Sequence, residues 1–223
     1  MQYVIADTET VGLNPPPTGS GVCQVAWWEI DENLYTVDEL ESYLVNPESE
    51  ISEEASAING ITYDMIADAP ILRHLVDWNV PHIIIGHNVS FDMKFLGPYV
   101  PGCVGTLCTL ELARHYFRDV PNHKLQTLAE VLGLERGKAH DAGDDVVTTL
   151  SLLKYIITKS GMSLPQLVAQ QANGKVYHVM PFGRYKGVKF NNLPLSYITW
   201  FLDQDIDNNL RKTFEMQLKL RGA

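Results

Sequence analysis

Asp7 and Glu9 are the first residues of this chain whose types and spacing could do chemistry together. They close the run Tyr3-Val4-Ile5-Ala6-Asp7-Thr8-Glu9-Thr10, whose β-branched and aromatic residues predict a strand buried in a sheet. Residues i and i+2 share one face of a strand, so both carboxyls point the same way if the strand continues past Ala6. Two carboxylates forced together repel unless a proton or a cation sits between them. An acid pair at a strand end equally suits an ordinary turn, so the pair alone decides nothing.

Three more groups change the reading. Asp92 falls about one turn into the helix predicted after the apolar strand His82–His87. It is thus delivered to the strand's C-terminal edge, where open α/β sheets place ligands. Asp145 lies on the rim of the helical face traced by Ala142, Val146, Thr149, Leu150, Leu153 and Ile157. An inward acid needs a partner, and no Lys or Arg close in sequence supplies one. His140 stands just before that helix. Asp141 suits its N-cap, and Asp144 is expected to point away, with Asp141, Thr148 and Ser151. Asp7, Glu9, Asp92 and Asp145 form an all-oxygen set that favours Mg²⁺ or Mn²⁺ over zinc. That much acid suits two ions and phosphoryl chemistry, with the histidine accepting a proton.

The elements that must hold these groups alternate. Pro and Gly mark a loop over Val11–Gly21, and strands are expected at Val22–Ile30 and Glu41–Val45. Short helices are predicted at Thr62–Ala67 and Ile71–Trp78. Longer ones are predicted at Ser90–Leu96, Thr109–Tyr116, Lys124–Leu132 and Asp141–Lys159, with another at Ser163–Asn173 capped by Ser163. The order implies an α/β protein with a mixed sheet covered by helices.

Asp7-Thr8-Glu9 with Gly12-Leu13, then His87-Asn88-x-x-Phe91-Asp92, then His140-x-x-x-x-Asp145, together resemble the DEDDh 3′→5′ exonucleases. The resemblance spans about residues 2–160, and three ordered motifs make it specific. It implies an RNase H-like exonuclease fold and two divalent ions, Mg²⁺ with Mn²⁺ able to substitute. It casts Asp7, Glu9, Asp92 and Asp145 as metal ligands and His140 as general base. It implies substrate contacts at Thr8, Thr10, Gly12, Leu13, Asn88 and Phe91, with Leu13 wedging between bases and Phe91 stacking on one. Ile58–Thr62 resembles a family segment that usually carries His where this chain has Asn59. The implied reaction is 3′→5′ hydrolysis of DNA to nucleoside 5′-monophosphates. An exoribonuclease with the same parts, and a non-catalytic nucleic-acid-binding module, remain open.

Phe182-Gly183-Arg184-Tyr185-Lys186-Gly187, with Pro194-Leu195-Ser196-Tyr197-Ile198-Thr199-Trp200, resembles the C-terminal module of exodeoxyribonuclease X-type members of that family. Arg184 and Lys186 are expected to contact nucleic acid, through phosphate charge. Phe182 and Trp200 are expected in the module's small core. The expected division is 1–160 catalytic domain, 161–178 helical linker, and 179–223 small basic module.

The charge distribution fits that division. Residues 1–174 hold 9 Lys and Arg against 23 Asp and Glu, a net of −14, while residues 175–223 hold 8 against 4, a net of +4. The expected partner is nucleic acid entered from a DNA 3′ end. No run of about 18 apolar residues is present, so no membrane association is expected. The cysteines, Cys23, Cys103 and Cys108, are odd in number and lack CxxC spacing, which fits free thiols in the reducing cytoplasm.

Overall fold

Five strands make one mixed sheet: β1 (Gln2–Thr10), β2 (Val22–Ile30), β3 (Glu41–Leu44), β4 (His82–Gly86) and β5 (Cys103–Cys108), in the order β3-β2-β1-β4-β5. β1 runs antiparallel to β2, and β2 to β3, whereas β4 runs parallel to both β1 and β5. The computed structural model describes residues 1–172, 179–204, 206 and 208–222. The chain divides into two units, Met1–Val168 and Ala169–Ala223, and the sheet belongs to the first.

The strand alternation of β1 decides what each of its faces meets. Tyr3 and Ile5 enter one core cluster, together with Val146, Leu150 and Leu153 of the long helix α6 (Ala142–Ser160). Val4 and Ala6 enter the other, with Val89, Phe95 and Leu96 of α3 (Val89–Leu96). Ile5, Ile84, Ile85 and Leu107 are fully buried, and each such aliphatic side chain contributes about 1.5–3 kcal/mol of burial free energy. β1 does continue past Ala6, so Asp7 and Glu9 keep the phase of Tyr3 and Ile5 and face α6. Thr8 keeps the phase of Ala6 and faces α3.

The remaining helices of this unit are α1 (Glu53–Asn59), α2 (Tyr63–Ile66), α4 (Thr109–Tyr116), α5 (Leu125–Leu132) and α7 (Leu164–Ala172), the last continuing into the second unit. Caps agree with their sequence signals. Asp141 accepts from the Gly143 and Asp144 amides at the start of α6, and Gly161 ends it in the left-handed region at φ 67°. Ser163 and Gln166 exchange a reciprocal cap at the start of α7. The expected helix over Ile71–Trp78 is not formed. Only a 3-10 turn, Leu72–His74, is present, because Leu72, Val76 and Trp78 are each drawn into the core beneath the sheet. α1 and β5 are additions to the expected elements. α1 carries a legible signal: Ser52 caps it, Glu53 and Glu54 open it, and Gly60 closes it at φ 76°. β5 is an edge strand interrupted by Gly105, which hides its pattern.

In the second unit, α8 (Leu195–Leu202) and α9 (Asn208–Arg221) close over Met180, Phe190, Leu193, Ile198, Leu210 and Phe214. Phe182 and Trp200 are not in this core. They are 47% and 54% exposed, which corrects the sequence expectation. Ile198 takes the inward position on α8, and Trp200, two residues on, is turned outward. Phe201 stacks on Phe214 instead, with ring centroids 5.5 Å apart. The end of the expected helix at Asn173 and the end of the expected linker lie outside the described residues.

Candidate active site

The two β1 acids meet α6 and α3 at one end of the sheet. Asp145, in the first turn of α6, takes a hydrogen bond on Oδ1 from the Gln126 amide of α5 at 2.9 Å and on Oδ2 from the His140 backbone amide at 3.3 Å. Asp92 of α3 is buried, and its Oδ1 accepts from Thr8 twice, from the backbone amide at 3.1 Å and from the hydroxyl at 2.7 Å. The sheet edge thus gathers acids from both of its faces. His140 sits in the left-handed region at φ 60°, at the turn into α6, and its side chain is exposed. One ligand atom from each of Glu9, His140 and Asp145 lies within 4.8 Å of the other two.

These carboxyls resist ionisation. Burial, then the charges of Asp92, Asp145 and Glu9, hold Asp7 well above the usual carboxylate range. Burial pushes Glu9 up to about 7, aided by Asp145 and Asp92 and opposed by a hydrogen bond with Asn59. Burial also pushes Asp92 up to about 7 against the stabilising bonds from Thr8, and raises Asp145. Among the described residues, none of the four forms an ion pair with a Lys or Arg. A crowded set of oxygen donors without an internal counter-charge fits a hard divalent cation. Asp7, Glu9, Asp92 and Asp145 could hold it, with His140 within reach of Glu9 and Asp145.

The surroundings stiffen the set. Gln24, opposite Glu9 across the β1–β2 ladder, accepts from the Ala142 amide at 3.2 Å and donates to Asp141 at 3.4 Å. Asp144 and Thr148 share a face, as expected, but that face is covered, and Thr148 is fully buried. The segment 137–138 folds over that face, with Lys138 N–H donating to Asp144 at 2.7 Å and Gly137 N–H to Thr148 at 3.3 Å. A Cβ on Gly137 would lie 2.3 Å from the Asp144 carboxyl carbon, so only glycine allows this approach.

A cavity of about 470 Å³ opens beside Glu9. Thr8, Thr10, Gly12, Leu13 and Phe91 all line it, so five of the sequence-predicted contact residues converge. Leu13 is 79% exposed at its rim, and Phe91 packs on Phe95 with centroids 5.3 Å apart. Asn88 is not in this lining. It occupies the left-handed turn between β4 and α3 at φ 72°, a conformation asparagine tolerates. Arg184 and Lys186 belong to the second unit, where both are exposed. Sequence reasoning missed Ile58, 61% exposed on the cavity's far wall, because it rides on α1, which the hydrophobic pattern does not single out. It also missed Gln126 and Gln24, whose amide types carry no signal by themselves.

Known proteins are similar to this chain. A family model described as exonuclease, of the RNase T group, matches residues 4–153. A second model, whose description names a quorum-sensing-regulated virulence factor, matches residues 169–220. The DNA polymerase III PolC-type protein of Bacillus cereus is 32% identical over 189 residues, which cover 78% of this chain and 13% of that one. Its Bacillus subtilis counterpart is 30% identical, over 68% and 11% respectively. The chain therefore spans only about an eighth of these relatives. A structure of exonuclease X in complex with 5′-overhanging duplex DNA superimposes with TM-score 0.60 at 28% identity, covering 75% of this chain and 98% of that one. E. coli exonuclease I with a dT13 oligonucleotide shares the fold, with TM-score 0.61 at 22% identity over 76% of this chain and 43% of that one.

Proposed function

This chain belongs to the RNase T exonuclease family, and from that premise we propose that it is a divalent-cation-dependent 3′→5′ exonuclease acting on DNA and releasing nucleoside 5′-monophosphates. The observation that carries the reading is the gathering of Asp7, Glu9, Asp92 and Asp145, with His140, around Glu9, which itself lines the cavity together with Leu13 and Phe91. When bound, two Mg²⁺ ions, or Mn²⁺ in their place, would supply Lewis acidity and charge neutralisation at the scissile phosphate.

The chain's own residues do the rest. Asp7, Glu9, Asp92 and Asp145 are the proposed ligands, held in place by Thr8, Gln24 and Gln126. Leu13 and Phe91 offer apolar surface to the terminal base, while Thr8, Thr10 and Gly12 line the same wall. Asn88 sets the turn that aims α3. His140 takes the proton of the attacking water on an imidazole nitrogen. The water oxygen bonds to phosphorus as the bond to the 3′ oxygen breaks. The freed 3′ oxygen takes up a proton from solvent, so the shortened strand gains a 3′-hydroxyl, and the terminal nucleotide leaves as a 5′-monophosphate.

DNA is favoured over RNA because the similar proteins are named as DNA polymerase III PolC-type and as exonuclease X in complex with duplex DNA. Residues 1–160 are the proposed catalytic domain, 161–178 the connection, and 179–223 a module in which Arg184 and Lys186 meet nucleic acid. Matched DNA and RNA oligomers, labelled at the 5′ end and incubated with and without Mg²⁺, test the proposal. A Mg²⁺-dependent ladder shortening from the 3′ end of DNA is expected. Faster degradation of RNA would reassign the substrate, and binding without cleavage would remove the catalytic role.

A further inference from the structure

Next to the end of β4, a second groove of about 490 Å³ is lined by His87, Leu110, Arg114, Asn122, His123 and Lys124. We propose that it holds a backbone phosphodiester of the strand being degraded, gripped by Arg114 and Lys124. This rests on the exonuclease reading and extends it to a second anchoring point for the substrate.

The groove is built rigidly. His87 Nε2–H donates to the His123 carbonyl at 2.8 Å, and His87 Nδ1 lies 3.1 Å from the Thr109 hydroxyl. His123 Nε2 donates in turn to the Phe117 carbonyl at 2.8 Å, and the Lys124 amide donates to Asn122 Oδ1 at 3.0 Å. The segment leading into α5 is therefore pinned to the end of β4. His87 serves as a strut. Lys124 is the N-cap residue of α5, and two residues later Gln126 holds Asp145. Asn88, on the other flank, is next to His87 and begins the turn to Asp92. The groove and the acid cluster thus share both of their supports.

Charge points to an anion. Of the nine Lys and Arg in residues 1–174, Arg73 and Arg136 sit in ion pairs with Glu48 and Glu130. Arg114 and Lys124 are exposed, and neither side chain has a hydrogen bond or ion pair with a described residue. In a unit with a strong net negative charge, two cations without an internal partner in the lining of one groove lower the repulsion that a polyanion meets there. A guanidinium and an ammonium beside the Asn122 amide match phosphate oxygens, and the fork of Arg114 can bind two at once.

The test uses the full-length protein with Arg114→Ala, Lys124→Ala and both together. Both positions are exposed, so the fold is retained, and Arg114→Lys serves as partial rescue. Binding of fluorescent single-stranded and duplex DNA oligomers is followed by anisotropy across a salt series, without reference to cleavage. The double variant is expected to bind single strands roughly tenfold more weakly. Its log–log salt slope should flatten by about 0.7 for each phosphate that is no longer neutralised. In the cleavage assay, KM should rise by a similar factor while kcat changes less than about twofold. Unchanged binding and salt slope would overturn the proposal, and a loss confined to duplex would overturn its assignment to the degraded strand. A wild-type protein that binds but never cleaves would instead remove the proposed function, and the binding series would still decide the groove.

Discussion

The acids of the first unit and the cations of the second are opposite in sign and opposite in how the fold treats them. Asp7, Glu9, Asp92 and Asp145 are crowded together; burial raises every one of them, and repulsion from a neighbouring acid adds to it, Asp141 in the case of Asp145. Their hydrogen bonds come from neutral groups, Thr8, Asn59, Gln126 and backbone amides. In the second unit several cations are spent on the chain itself. Arg221 donates to the Leu193 and Phe190 carbonyls at 2.7 Å each, Arg211 to those of Leu202 and Gln204 at 2.9 Å, and Lys212 to that of Ala172. Arg184, Lys186 and Lys189 are exposed, and the Arg184 guanidinium lies over the Tyr185 ring at 5.6 Å. A charge that the fold satisfies is structure, whereas a charge it leaves unsatisfied is placed for something outside the chain. On the proposed function the acids would hold a cation, and the exposed cations would meet an anion.

The largest effect should come from dismantling the acid cluster. Asp145→Ala or Asp7→Ala should lower cleavage by on the order of 10⁴-fold, since each removes a cation-holding oxygen worth several kcal/mol in the transition state. The cation-free protein should keep or gain melting temperature, because repulsion among the remaining acids is relieved. Activity within tenfold of wild type would show that these acids are not the site. A sharp loss of melting temperature would show that their crowding is compensated within the fold after all.

His140 separates proton transfer from cation binding. His140→Ala should slow cleavage by roughly 10²–10⁴-fold, the usual scale for a general base. Titration calorimetry with Mn²⁺ should show affinity little changed. Its proximity to Glu9 and Asp145 makes the calorimetry decisive: Mn²⁺ binding abolished together with activity would make His140 a ligand and leave the base unassigned.

How much of the fold and site is legible in the chain depends on local pattern. The alternation of Tyr3 to Thr10 is enough to put Asp7 and Glu9 on one face, and the helical spacing around Asp145 is enough to turn it inward. What stays hidden depends on distant partners. Ile71–Trp78 has a helical pattern, but the sheet takes its apolar residues one by one. Asp144 looks like a solvent-facing acid because nothing local shows that Gly137 folds over it. Trp200 looks like core because size and hydrophobicity cannot tell which side of α8 Phe214 will occupy. Gln126 becomes a site residue only when α5 meets α6.

Proton linkage offers a test of the acid cluster that needs no substitution. Glu9 and Asp92 are ordinary carboxylates when unfolded but hold their protons up to about 7 when folded. Between about pH 4 and pH 7 the folded state therefore binds protons that the unfolded state has released. Stability contributed this way is full below the unfolded pKa and falls as pH rises through the folded one. The cation-free protein should lose melting temperature across that window. Added Mg²⁺ or Mn²⁺ should raise it more at about pH 8 than at about pH 5, where protons compete for the same oxygens. A flat profile that the cation does not alter would mean the four carboxyls are screened from one another.

The smallest effects compare spent cations with free ones inside the second unit. Arg221→Ala removes two charge-assisted bonds to the Phe190 and Leu193 carbonyls, at the start of and just past the 3-10 turn Phe190–Asn192, so it should destabilise this unit by about 1.5–3 kcal/mol. It should change nucleic-acid affinity little while the unit remains folded. Arg184→Ala with Lys186→Ala should do the reverse. Neither side chain supports the core, so melting should be unchanged. Binding to a DNA oligomer should weaken a few-fold, and its log–log salt slope should flatten by about 0.7 for each phosphate left without its cation. Exposed Phe182 and Trp200 both pack against Phe201 and could stack on bases. Trp200→Ala should then weaken single-strand binding without changing the salt slope, because stacking releases no counterions. If Arg184→Ala and Lys186→Ala left both affinity and salt slope at wild-type values, the free cations would be ordinary surface charge, and the contrast between spent and unspent charge would hold only for the acids.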